Sequence, residues 1–188
     1  MERLGSEIVI STIETHVAAI RLCLENHFRM PALALIYCGI DVLANLSRPA
    51  DTSEVTQSDF VKWAEQYMEC EKLLGVSGLD LYAARCGILH AYTMDSHLSS
   101  KGRAKRILYA WGDKNPDEPM RLLLELDHPE VMIKIETLFS AFLNGIDAFG
   151  NALDADPKLA SLVGQRGRKL FADQTSFHRG DARGPSVS

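Results

Sequence analysis

The chain has four cysteines, Cys23, Cys38, Cys70 and Cys86, and no two of them stand at the short spacing of a zinc site. Each lies in an apolar, helix-prone context, where a free thiol behaves as a small hydrophobe. No metal site and no cofactor is expected from them. Nor is positive charge in excess. Lys and Arg total 20 against 25 Asp and Glu, a net charge of −5, which argues against a protein that coats nucleic acid generally. A local basic patch is compatible with that total, because binding depends on where the charge sits. No apolar run approaches the roughly 18 residues that span a bilayer. The start, Met1-Glu2-Arg3-Leu4-Gly5-Ser6-Glu7, lacks the basic region and cleavage site of a signal peptide, so a cytoplasmic protein without a membrane partner is expected.

What is present is ordinary globular material. With 188 residues, 46% apolar and 24% charged, the chain suits one domain with a real core. Ile10, Ile13, Val17, Ile20 and Leu24 recur at three- and four-residue steps, which predicts a first helix over about 6–28. Pro31 suits the first turn of a second helix running to about Leu46. After a loop over 47–53, Ser58 is the expected N-cap of a third helix, with Phe60, Val61, Ala64, Tyr67, Met68 and Leu74 as its buried stripe. Gly75 to Gly78 reads as a turn before a fourth helix. Beyond Thr93, Ile107 to Trp111 is expected to form a short strand, with Leu122 to Leu126 returning beside it as a β-hairpin. Pro129 is expected to open a long helix carrying Val131, Ile135, Leu138, Phe142, Ile146, Phe149 and Leu153 on one face. A shorter helix from Pro157 follows. The expected organisation is all-α, a helical bundle over 1–155 with a short β-hairpin insertion, a C-terminal helix over 156–172 and a disordered tail over 173–188.

The fourth helix carries the chemistry. Leu79-Asp80-Leu81-Tyr82-Ala83-Ala84-Arg85-Cys86-Gly87-Ile88-Leu89-His90-Ala91-Tyr92 sets an arginine, a histidine and a tyrosine into apolar surroundings. A buried guanidinium needs a partner, since an unpaired charge in a core is very costly. Asp41, mid-helix between Ile40 and Val42, is equally out of place unless paired, and pairing with Arg85 would orient it. The structural alternatives are plain. Arg85 can be a core-edge arginine held by Asp41 or Asp80, His90 a satisfied helix histidine and Tyr92 a packed aromatic. Lys101, Arg103, Lys105 and Arg106 follow the helix, either as an RNA-phosphate contact or as a solvated loop. Tyr109 and Trp111 can stack bases or pack on a strand. Arg166, Arg168 and Lys169 make a second basic group, expected on the surface of the terminal helix.

Arg85-Cys86-Gly87-Ile88-Leu89-His90 resembles the Arg-x4–6-His signature of the HEPN superfamily of helical bundles. The spacing recurs by accident at Arg21 to His27 and Arg121 to His128. Around Arg85 it is accompanied by Leu81-Tyr82 and by an upstream helix, Ala-Leu-Ala-Leu-Ile-Tyr-Cys-Gly-Ile-Asp over 32–41, similar to the first core helix of many such domains. The resemblance spans about 5–150. It implies a homodimer that binds RNA, with metal-independent endoribonuclease activity of toxin or defence type: Arg85 as phosphate clamp, His90 as acid–base residue. A non-catalytic interaction or nucleotide-binding module is the family's other habit. His90-Ala91-Tyr92 extends the motif to a form similar to toxins paired with a nucleotidyltransferase antitoxin, in which the tyrosine is modified. The sequence departs from that form at Cys86, where a polar residue usually stands. On a regular helix Arg85 and His90 lie about 140° apart. Either the helix distorts near Gly87, or two chains complete the site; Arg85 and Tyr92, seven apart, share a face.

Overall fold

The computed structural model describes residues 2–112 and 130–176, and among these lie eight helices and two strands. In chain order they are α1 (Glu2–Glu25), α2 (Arg29–Ser47), α3 (Gln57–Tyr67), α4 (Cys70–Leu74), α5 (Gly78–Ala91), α6 (His97–Ser100), β1 (Arg106–Ala110), β2 (Glu130–Lys134), α7 (Ile135–Ala155) and α8 (Pro157–Ser176). The protein is an all-α helical bundle with one small sheet.

The bundle is built around α2. Ala32, Leu33, Ile36, Tyr37, Ile40, Leu43, Ala44 and Leu46 are buried on it, and α1, α3, α5, α7 and α8 all pack against it. An apolar surface this wide has to be covered on several sides. By length and composition α2 could also cross a membrane, contrary to the expectation that no stretch comes near that; half of it is buried inside the fold, as in a central core helix. Trp63 and Tyr67 of α3 stack against Phe149 of α7, and Trp63 also meets Phe142. Rings in tilted and edge contacts like these fill the seam between α3 and α7. The hydroxyls of Tyr37 and Tyr109 are buried and hydrogen-bonded to each other, tying α2 to β1. Burial pushes both phenols well above their usual range.

Two helix starts show how local chemistry sets the frame. Thr56, rather than Ser58, caps α3: its hydroxyl meets the Asp59 amide while the Asp59 carboxylate accepts from the Thr56 amide at 2.8 Å. Ser77 and Asp80 form the same reciprocal pair at the start of α5. Asp80 is buried, and its second oxygen accepts the Lys105 amide at 2.7 Å. The chain entering β1 is thus pinned to the head of α5.

Several expectations are corrected. The two strands run parallel, Arg106 beside Glu130 through Ala110 beside Lys134, so the described sheet is not a hairpin. Leu122 to Leu126 lie outside the described residues, as do Pro129 and the Arg121–His128 match. Val131 is on β2, and the long helix begins only at Ile135. The polar stretch between α5 and β1, for which no element was expected, contains α6. The last helix reaches Ser176, past the expected boundary at 172, and lies along α1; the rest of the expected tail falls outside the described residues.

Asp80→Ala removes a cap and leaves the buried Lys105 amide without an acceptor, so a loss of about 2 kcal/mol in unfolding free energy is expected. Urea denaturation measures it. A loss under about 0.5 kcal/mol, the size of an ordinary surface change, would show that this tie matters little.

Candidate functional site

Leu81, Ala84 and Ile88 are the buried stripe of α5. Arg85 is next to that stripe, at the edge where α5 meets α2, and from there it reaches Asp41. Its Nε and Nη2 each lie 2.8 Å from Asp41 Oδ2. Its Nη1 lies 3.1 Å from Nε2 of His90, in the last turn of the same helix. A guanidinium has only donors, so His90 must accept through an unprotonated Nε2 and carry its proton on Nδ1. Asp41, Arg85 and His90 therefore form one hydrogen-bonded line within a single chain.

The helix is continuous through Gly87, and no second chain is needed to bring Arg85 and His90 together. The angular expectation treated side chains as short, whereas an arginine spans the gap. Gly87 has a different task. A Cβ there would come within 2.6 Å of the carbonyl oxygens of Thr93 and Asp95, so the chain leaving α5 folds back across this glycine. Tyr92 makes that reversal. It sits at φ 54°, ψ 34° and caps the helix in the left-handed region, so it leaves the helical face it was expected to share with Arg85. Left-handed backbone costs a non-glycine residue about 1 kcal/mol or more, and this one is also 61% exposed. The aromatic ring near Arg85 belongs to Tyr82, whose centroid lies 6.0 Å from the guanidinium carbon, at the outer limit of a cation–π contact.

Electrostatically the line is only partly withdrawn from water. The Arg85 and Asp41 side chains are 21% and 24% exposed, and His90 is exposed. Burial raises the Asp41 carboxyl above its ordinary value; the bonds and charge of Arg85 pull it back only in part. Both contacts fall on one oxygen, which leaves the pair short of fork-to-fork geometry. For Arg85, burial opposes the charge, and Asp41 outweighs it, so its proton is held more tightly than usual. Cys38 and Tyr82, three residues before Asp41 and Arg85, complete the surroundings. Burial raises the Cys38 thiol, with Asp41 adding to the effect and Arg85 opposing it. Burial also raises the Tyr82 phenol, with Cys86 adding to it. Neither Cys38 nor Tyr82 was singled out as a site residue, although spacing one turn before a charged residue was the available signal.

The basic residues after α5 divide. Lys101 and Arg103 are exposed. Lys105 is exposed too, with its Nζ 3.3 Å from the Gly75 carbonyl. Arg106 is engaged inside the fold, 3.1 Å from Asp95 and 2.8 Å from Glu130. Tyr109 is buried, and the Trp111 ring lies beneath Arg29 at 3.9 Å. Arg166 is not a plain surface cation: it donates to the carbonyls of Leu46, Arg48 and Pro49 at the C-terminal end of α2. Among the described residues no group of three His, Cys, Asp or Glu side chains is placed to hold a metal ion.

No family model matches this chain, and neither a curated protein nor a solved structure matches it. What fold and site define is a helical-bundle protein with an Asp–Arg–His line at the exposed end of one helix.

Asp41 also sets a sign for pH dependence. A carboxyl raised in the folded state contributes stability that is present below its unfolded value and lost as pH rises through the folded one. The stability of the native protein relative to Asp41→Asn should therefore fall as pH rises through the carboxylate range, then level off. Urea midpoints from pH 3.5 upward (about half a unit below a free Asp) read this directly. A relative gain on raising the pH would mean that the ion pair overrides burial.

Proposed function

We propose that this chain is an RNA-binding protein of HEPN type that cleaves RNA without a metal ion, using Arg85 and His90. The observation that carries the proposal is the 3.1 Å contact between Arg85 Nη1 and a His90 Nε2 that must be unprotonated. It puts a phosphate-binding guanidinium and a proton acceptor at one point, with Asp41 holding the guanidinium in place. A phosphate entering there takes over the guanidinium donors and releases the imidazole lone pair. Nε2 then takes the proton of the ribose 2′-hydroxyl, whose oxygen forms a bond to phosphorus while the bond to the 5′-oxygen breaks. The imidazolium returns the proton to that leaving oxygen, and the products are a 2′,3′-cyclic phosphate and a 5′-hydroxyl. Arg85 stabilises the charge that builds on the phosphoryl oxygens.

The same proposal covers the setting. A homodimer would place two such lines on one RNA, and exposed Lys101, Arg103 and Lys105 would add phosphate contacts, Arg106 contributing least because two carboxylates already hold it. Toxin or defence activity controlled by a nucleotidyltransferase-type antitoxin is supported by the exposure of the Tyr92 ring, close in sequence to His90. Four free thiols suit the reducing cytoplasm. A non-catalytic module, binding a partner or nucleotide, is favoured by a different observation: Asp41 already supplies a counter-charge to the Arg85 guanidinium without any ligand.

Incubation of the purified protein with varied RNAs in chelator decides between them. Cleavage is expected, falling by at least about 100-fold in His90→Ala, in line with the loss of an acid–base group, and comparably in Arg85→Ala, each with native circular dichroism. Absence of cleavage on every RNA, or full activity of His90→Ala, would overturn the catalytic proposal.

A further inference from the structure

A second positive site lies along α2 from the first. Cys38, Asp41, Asn45 and Arg48 follow one another at steps of three and four residues and are all half-buried. They form one stripe along the helix, with Arg85 against Asp41 and His90 against Arg85. At its C-terminal end the stripe opens into a cavity of about 540 Å3, lined by Asn45, Arg48, Glu54, Arg166 and Lys169 among others. Seven residues separate Asp41 from Arg48, which is about 10 Å along the helix axis.

The charge in this cavity exceeds what the fold needs. A helix C-terminus carries roughly half a negative charge, and one guanidinium is ample to answer it. Here both Arg48 and Arg166 are bound to backbone carbonyls around the end of α2. Lys169 adds a third positive charge and Glu54 one negative. About one and a half positive charges remain once the helix end is counted. Among the described residues none of the three cations forms an ion pair with a carboxylate. Burial, and then the charge of Arg48, make Arg166 easier to deprotonate than a free arginine, with the charge of Asp59 opposing them more weakly. In a chain of net charge −5, three cations drawn together without a carboxylate bound to them invite an anion from outside.

We propose that the Arg48–Arg166–Lys169 cavity is a phosphate subsite for the same RNA strand whose scissile phosphate lies at Arg85. This rests on the RNA-cleaving function proposed above. The strand follows the half-buried stripe of α2, one phosphate at Arg85 and another, a few nucleotides along, in the cavity. Arg48 and Arg166 are fixed by their carbonyl bonds and supply preset charge. Lys169 is exposed, forms no side-chain hydrogen bond or ion pair among the described residues, and is free to close on the anion.

The test uses the full chain and 2′-O-methyl oligonucleotides, which lack the attacking hydroxyl and so report binding alone. Fluorescence anisotropy is read for a dinucleotide and for a longer strand of eight, the latter within the usual span of about 4–16 nucleotides for a single-strand site. The longer strand should bind the native protein more tightly. Lys169→Gln should weaken the longer strand about fivefold at low salt and reduce the slope of log K against log salt by about 0.7, the effect of one lost single-strand phosphate contact. It should leave the dinucleotide unchanged, and Lys169→Arg should restore both quantities. If Lys169→Gln binds both lengths as the native protein does while Arg85→Ala weakens both, the cavity is not a subsite and the RNA function stands. If the native protein binds neither length, both proposals are overturned.

Discussion

A guanidinium mostly withdrawn from water must be given a counter-charge, and in this protein Asp41 gives it. That single requirement links the central helix α2 to α5 across 44 positions of sequence. It also fixes where the remaining nitrogen of Arg85, Nη1, points, which is at His90. Without Asp41 the arginine would have to turn outward to water, away from the imidazole. The pair is only about three-quarters buried, so it escapes the full desolvation penalty of a deep ion pair while keeping more attraction than a surface one. Asp41 stays harder to ionise than a free carboxyl, which shows that burial still outweighs the attraction on that side.

The rest of the fold supports this line at both ends of α5. At the head, Ser77 and Asp80 cap the helix and Asp80 also holds the start of β1. At the tail, Tyr92 reverses the chain over Gly87, with the Thr93 amide returning to the Gly87 carbonyl at 3.3 Å. The strained, exposed tyrosine is the one place where the helix end runs against backbone preference. Such strain persists where surrounding contacts over-determine it.

Much of the bundle was legible in sequence because α1, α2, α5 and α7 keep apolar residues at three- and four-residue steps. The failures have local causes. Val131, Ile135 and Leu138 fit a helical stripe, but Val131, Ile133 and Ile135 also alternate, and the β-branched run settled as a strand paired with β1. Residues 111–129 separate the strands, a length that suits a parallel crossover, whereas a hairpin would need only a few. Ser58 looked like a cap, yet Thr56-Gln57-Ser58-Asp59 contains the reciprocal acid three residues on, and that acid decided it. The Asp41–Arg85 pair was readable from two misplaced charges. Its extension to His90 was not, because angular position on a helix ignores how far an arginine reaches. Arg166 likewise looked like surface charge, since the carbonyls it answers belong to a helix more than a hundred residues earlier.

The state of His90 tests the account most directly. Nitrogen NMR of the ring in the native protein at neutral to mildly alkaline pH distinguishes the two neutral tautomers. If Arg85, held by Asp41, donates to His90, the ring carries its proton on Nδ1 and Nε2 is bare, and Asp41→Asn or Arg85→Ala shifts the population toward protonated Nε2. A native ring with its proton already on Nε2, unchanged in both variants, would contradict the line of contacts on which the site is built.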